Sequence, residues 1–159
     1  MKTDFAETQR NSLFTRAILI IGDIVVLALF LFIGEVQHGL LEAYNPVMRI
    51  LEQAAMIALP YLLLAWLLGA YPRQPLTTWR GVGLFLLSTA LAWLFAAPLG
   101  IVVRAWIYQT PVIIMLFVNA ALVFGSIFLL VWRGVYALLC LFRNRKESTL
   151  QNTVYSVLG

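Results

Sequence analysis

Few residues in this chain could do chemistry, and they stand out because nearly everything around them is apolar. Asp23 lies inside the run AILIIGDIVVLALFLFIG. A carboxylate there must take up a proton or find a cation. An ionisable residue at membrane depth is a functional-site candidate by default. Arg133 closes the last apolar stretch, and its long stem can reach inward. Arg16 competes, at about 10 Å from Asp23 along a helix. The expectation is an intramembrane pair of Asp23 with Arg133. Three roles are open: a clamp between first and last segments, a proton or ion step at Asp23, or a lone protonated acid.

A second polar group is Glu35, His38, Glu52 and Arg104. If neighbouring apolar segments are antiparallel, these four converge at one mouth of the bundle. Arg104 could then bind an anion or clamp Glu35. His38 could titrate near neutral pH, or be a solvated loop residue. One histidine makes no ordinary metal site, and the sequence has no H-x-x-x-H pair or Cys cluster. Cys140 is a single cysteine in an apolar run, so it forms no internal disulfide. Ser88 and Ser126 have no His placed to activate them, and Gly81-x-Gly83 is no phosphate loop. The expectation is therefore no catalytic residue, no metal and no cofactor.

The elements that must position these groups follow from composition. The chain is 62% hydrophobic and only 11% charged. Soluble domains run about 45–50% apolar and about 25% charged, and a chain this short cannot hide the excess. That excludes a soluble enzyme, disorder and coiled coil. The net charge of +4 suggests no nucleic acid partner, because the basic residues stand at the ends of apolar runs. The fold class is all-α, an integral membrane four-helix bundle. A helical span takes about 20 apolar residues, and four stretches qualify: 17–34, 53–71, 82–103 and 112–132, the last with an apolar extension to 142. Residues 1–16 form a leader too long and too acidic for a signal peptide. Residues 143–159 form a polar tail, expected to be mobile. Residues 40–44 and 47–51 are expected to make short interfacial turns on either side of Asn45-Pro46.

Orientation follows from Lys and Arg. Nine of them (Lys2, Arg10, Arg16, Arg73, Arg80, Arg133, Arg143, Arg145, Lys146) fall on the side of the termini, against Arg49 and Arg104 on the other. Both termini are thus expected in the cytoplasm of a prokaryotic cell, with the chain multi-pass in the plasma membrane. Ser88, Ala92, Ala96 and Gly100 recur every fourth residue, so they share one helix face where another helix can approach. That face could serve packing within the bundle or contact with another subunit. Pro60 and Pro98 lie inside spans and are expected to kink them. No internal repeat is visible.

These residues carry a resemblance. Gly22-Asp23 with Phe30, Gly34 and His38; Ala58-x-Pro60-Tyr61 with Trp66; Pro98-Leu99-Gly100-x-x-x-Arg104; and Phe117 with Trp132-Arg133 together resemble an uncharacterised family of four-helix membrane proteins, domain of unknown function three thousand and fifty-four. The likeness covers roughly residues 21–133. Where this chain has Tyr61, the family usually shows Phe. The resemblance implies a four-helix membrane protein and puts weight on Asp23, His38, Arg104 and Arg133. It supplies no activity.

Two functions are compatible with these features. One is a small non-enzymatic membrane protein, a subunit or assembly partner of a larger complex, whose partners are the lipid bilayer and other membrane subunits or itself. The alternative is an oligomeric transporter or channel component that moves protons or a small ion through Asp23. A membrane enzyme acting on lipid or quinone is a third and weaker option.

Overall fold

In the computed structural model the chain forms four helices: α1 (Lys2–Gln37), α2 (Pro46–Leu67), α3 (Trp79–Ile107) and α4 (Met115–Leu158). The structure describes residues 2–37, 45–72, 76–109 and 115–158, with backbone alone at 2–12, 46, 116–117 and 145–158. His38, residues 40–44 and the start of the expected fourth span lie outside the described residues.

All four helices are long and apolar enough to cross a membrane, over Leu13–Gln37, Val47–Leu67, Trp79–Ile107 and Val118–Asn144. Large apolar side chains such as Ile21, Leu63, Leu94 and Ile127 point outward from each of them. That is the opposite of a water-soluble bundle and is what a hydrocarbon surrounding requires. The helices form a ring in which α1 packs on α2 and α4, and α3 packs on α2 and α4. Glu35 of α1 meets Arg49 of α2, Glu52 of α2 meets Tyr108 of α3, and Asn144 of α4 bonds the Leu76 carbonyl ahead of α3. Successive helices are therefore antiparallel, and the termini share one end.

Close approach rests on small residues. At Gly100, a Cβ would stand 3.0 Å from the Ile57 Cα and 3.2 Å from the Met56 carbonyl oxygen. Pro60 has no N–H to give that carbonyl, four residues back. Ala92, Ala96 and Gly100 are buried here. Three members of the stripe thus pack within the protomer, while Ser88 is half-buried and faces the outside of the bundle. Both Pro60 and Pro98 sit inside helices that continue past them.

Several boundaries differ from the sequence expectation. The second helix ends at Leu67 instead of residue 71. Gly69 has φ +70, and the Gly69 and Ala70 amides bond back to the Trp66 and Ala65 carbonyls at 3.2 and 2.8 Å. This is a Schellman stop, with Ala65 against Ala70 as its apolar contact. The helix also starts earlier, at Pro46, where fixed φ and a missing N–H suit the first turn. The Asn45 side chain caps it by accepting from the Met48 amide at 3.4 Å. Residues 47–51 are therefore the opening turns of α2, not a separate interfacial turn. Likewise the polar tail continues α4 through Leu158. With 44 residues, α4 is about 66 Å long and outreaches a hydrocarbon core of about 30 Å.

Candidate functional site

The early end of α2 has a structural consequence. Residues 68–72 are not helical, and the connection dips back into the ring, where Ala70, Tyr71 and Leu76 are buried. Irregular backbone at membrane depth is tolerated only inside protein. This segment is covered because it wraps the Asp23–Arg133 pair.

Asp23 and Arg133 are each 0% exposed. Arg133 Nε donates to Asp23 Oδ1 at 3.1 Å, and Nη2 donates to Oδ2 at 2.6 Å. The pair is bidentate, the strong geometry for guanidinium and carboxylate. Tyr71 donates its hydroxyl to Asp23 Oδ2 at 2.8 Å. Arg133 Nη1 donates to the Ala70 carbonyl at 2.7 Å and to Thr89 Oγ1 at 2.9 Å. Thr89 itself donates to the Phe85 carbonyl at 2.8 Å, so its oxygen is oriented to accept. The guanidinium also lies 4.8, 5.1 and 5.8 Å from the rings of Tyr71, Phe85 and Tyr61. Those ring faces favour a cation in a medium that does not solvate it. The expected pairing thus forms, with Arg133 rather than Arg16 as partner, and it links α1, α4, α3 and the α2–α3 connection.

The dipeptides flanking the pair form one lock. Gly22 and Trp132 are the neighbours of Asp23 and Arg133, and the Trp132 ring occupies the space a Gly22 side chain would take. Only a residue without Cβ lets α4 come this close. A matching contact sets Trp93 of α3 over Gly125 of α4, with the Trp93 indole N–H donating to the Leu122 carbonyl at 3.3 Å.

The opposite mouth holds a smaller polar set. Glu35 is buried, and its Oε1 accepts from Gln53 Nε2 at 2.8 Å and pairs with Arg49 Nε at 3.1 Å. Glu52 Oε2 accepts from the Tyr108 hydroxyl at 3.3 Å, and Arg104 stands 5.5 Å from the Tyr108 ring centroid. Partial burial, then the Glu52 carboxylate, pushes the Tyr108 hydroxyl up from its ordinary pKa of 10.0. Of the expected group of Glu35, His38, Glu52 and Arg104, the three described members lie at one end, His38 is outside the described residues, and the clamp on Glu35 comes from Arg49 and Gln53. Among the described residues no group of His, Cys, Asp and Glu could hold a metal.

Sequence reasoning missed Tyr71, Thr89, Arg49 and Gln53. Thr89 was visible as a hydroxyl beside Ser88 in an apolar run. Tyr71 stands at the end of a hydropathy run, and Arg49 and Gln53 stand near the start of one, where polar residues carry no special signal.

A ring of antiparallel apolar helices, locked by an internal ion pair, defines the class: a four-helix bundle compatible with a multi-pass membrane protein. The chain belongs to the family described as Protein of unknown function (DUF3054), whose model matches residues 20–136. Both halves of the lock, Gly22-Asp23 and Trp132-Arg133, fall inside that match. No curated protein and no solved structure matches the chain.

Proposed function

We propose that the protein is a non-enzymatic integral membrane subunit or assembly partner, and that the Asp23–Arg133 centre is its internal clamp. The observation that carries this reading is the complete burial of the centre and its pairing within the chain. Both carboxylate oxygens of Asp23 and all three guanidinium nitrogens of Arg133 bond groups of the same chain, with no exposed surface. A carboxylate that relays protons must exchange partners, and this one has none to exchange without opening the bundle. Breaking such a pair is costly, because one charge is left buried alone. The reading places the chain in a prokaryotic plasma membrane with both termini cytoplasmic, as the excess of Lys and Arg at that end supports. Its partners are lipid and other membrane proteins.

The test is gentle extraction of the full chain from its native membrane, followed by identification of stoichiometric companions. A second protein at fixed ratio is expected. A chain that comes out alone, together with proton or ion flux in liposomes that Asp23→Asn abolishes, overturns the reading in favour of transport.

A further inference from the structure

A furrow of about 390 Å³ runs along the outside of the bundle, where the α2–α3 connection meets the first half of α3. Leu68, Pro72 and Leu76 form one wall, and Leu84, Leu87 and Leu91 the other. Gly69 also lines it and adds no side chain. Leu68, Leu84 and Leu87 remain exposed, so the furrow opens toward the surroundings of the bundle.

Its dimensions and charge point to one occupant. From Gly81 to Leu91 it rises about 15 Å, half of a hydrocarbon core of about 30 Å and hence one leaflet. At its outer end, beside Gly81, stand the exposed Trp79 and Arg80. Trp is favoured where hydrocarbon meets headgroups. By sequence, no Asp or Glu occurs between Glu52 and Glu147, a stretch that holds Arg73, Arg80, Arg143, Arg145 and Lys146, and the leader adds Asp4 and Glu7 against Lys2, Arg10 and Arg16. We infer that the furrow is a binding site for an anionic phospholipid, with an acyl chain along the leucine walls and the headgroup phosphate at Arg80. Phe85 belongs to both sites, since it lines the furrow and its ring stands 5.1 Å from the Arg133 guanidinium. A bound chain therefore covers the aromatic layer over the ion pair.

The test uses the full chain in vesicles of phosphatidylcholine, with or without phosphatidylglycerol, followed by mild extraction and native mass spectrometry. Wild type is expected to retain one lipid and to prefer phosphatidylglycerol by about fivefold, the scale for one basic residue near a headgroup. Arg80→Gln should abolish that preference while retaining lipid. Ser88→Phe, which fills the furrow from α3, should lose both lipids several-fold. If Ser88→Phe does not fold, the smaller Ser88→Leu takes its place. Three outcomes overturn the proposal: a preference unchanged in Arg80→Gln, retention unchanged in the filled variant, or a filled variant that changes oligomeric state with lipid retention intact, which would make the occupant a second copy.

Discussion

Arg133 grips Asp23 through two parallel donors, at 3.1 and 2.6 Å, across 110 residues of chain. The contact ties the last helix to the first, and its remaining bonds bring in α3 and the α2–α3 connection. A charge pair without exposure is a weak source of net stability, because desolvation offsets most of the attraction. On the proposed clamp reading its value is specificity, since misregistration of α1 against α4 would strand one charge in an apolar setting.

That separation of stability from specificity is measurable. Asp23→Asn or Arg133→Met alone should each destabilise by about 3–5 kcal/mol, the scale for breaking a buried pair. Asp23→Leu with Arg133→Met should recover most of that loss. Charge reversal should behave similarly, Asp23→Arg being poorly folded and partly restored by Arg133→Asp. Unfolding of the purified variants in detergent checks this. A double variant no better than the singles would argue against direct pairing.

The Gly22–Trp132 contact should tolerate no added methyl. Gly22→Ala places Cβ against the indole and should cost about 1–3 kcal/mol, the usual scale of overpacking. Gly125→Ala should do the same beneath Trp93. Gly83→Ala, where a Cβ meets nothing within 4 Å, serves as the control and should be neutral or better, since Gly weakens a helix. Adding Trp132→Leu to Gly22→Ala should restore part of the loss. Thermal unfolding of this set measures it.

The hydroxyls around Arg133 are unequal. Tyr71→Phe removes a donor from a charged acceptor and should cost about 1.5–3 kcal/mol. Thr89→Val leaves Arg133 Nη1 with one acceptor fewer and should cost a similar amount. Tyr61 is different. Its ring faces Arg133 and stands edge-on to Trp93 at 5.9 Å, yet its buried hydroxyl has no hydrogen-bond partner among the described residues. Tyr61→Phe keeps the ring and removes the stranded group, so it should be neutral or stabilising. Loss of stability in Tyr61→Phe would reveal a partner for the hydroxyl.

At the other mouth, Arg49→Gln leaves the buried Glu35 carboxylate without its cation and should destabilise by about 1–3 kcal/mol. Adding Glu35→Gln should return much of it. Removing Glu52, whose contact with Tyr108 is exposed, should change little, as surface polar pairs do. Unfolding midpoints of these variants, compared side by side, rank the two contacts.

What the sequence determined by itself was the apolar character of the chain and the number of its long helices. The length of each apolar run makes four helices able to cross a membrane. It also marked Asp23 and Arg133, because a charge inside such a run is costly wherever the chain goes. The stop at Gly69 was not read from the sequence, because the hydropathy run passes over it to Tyr71. The tertiary structure alone decided which groups meet. Tyr71 reaches Asp23 because α2 stops early and its connection folds inward. Arg49, not Arg104, clamps Glu35 because α1 and α2 are adjacent around the ring. The small-residue stripe on α3 turned toward α2 because Gly100 lies against Ile57 and the carbonyl that Pro60 leaves without a donor. Periodicity assigns residues to one face of a helix, but only packing decides what that face meets.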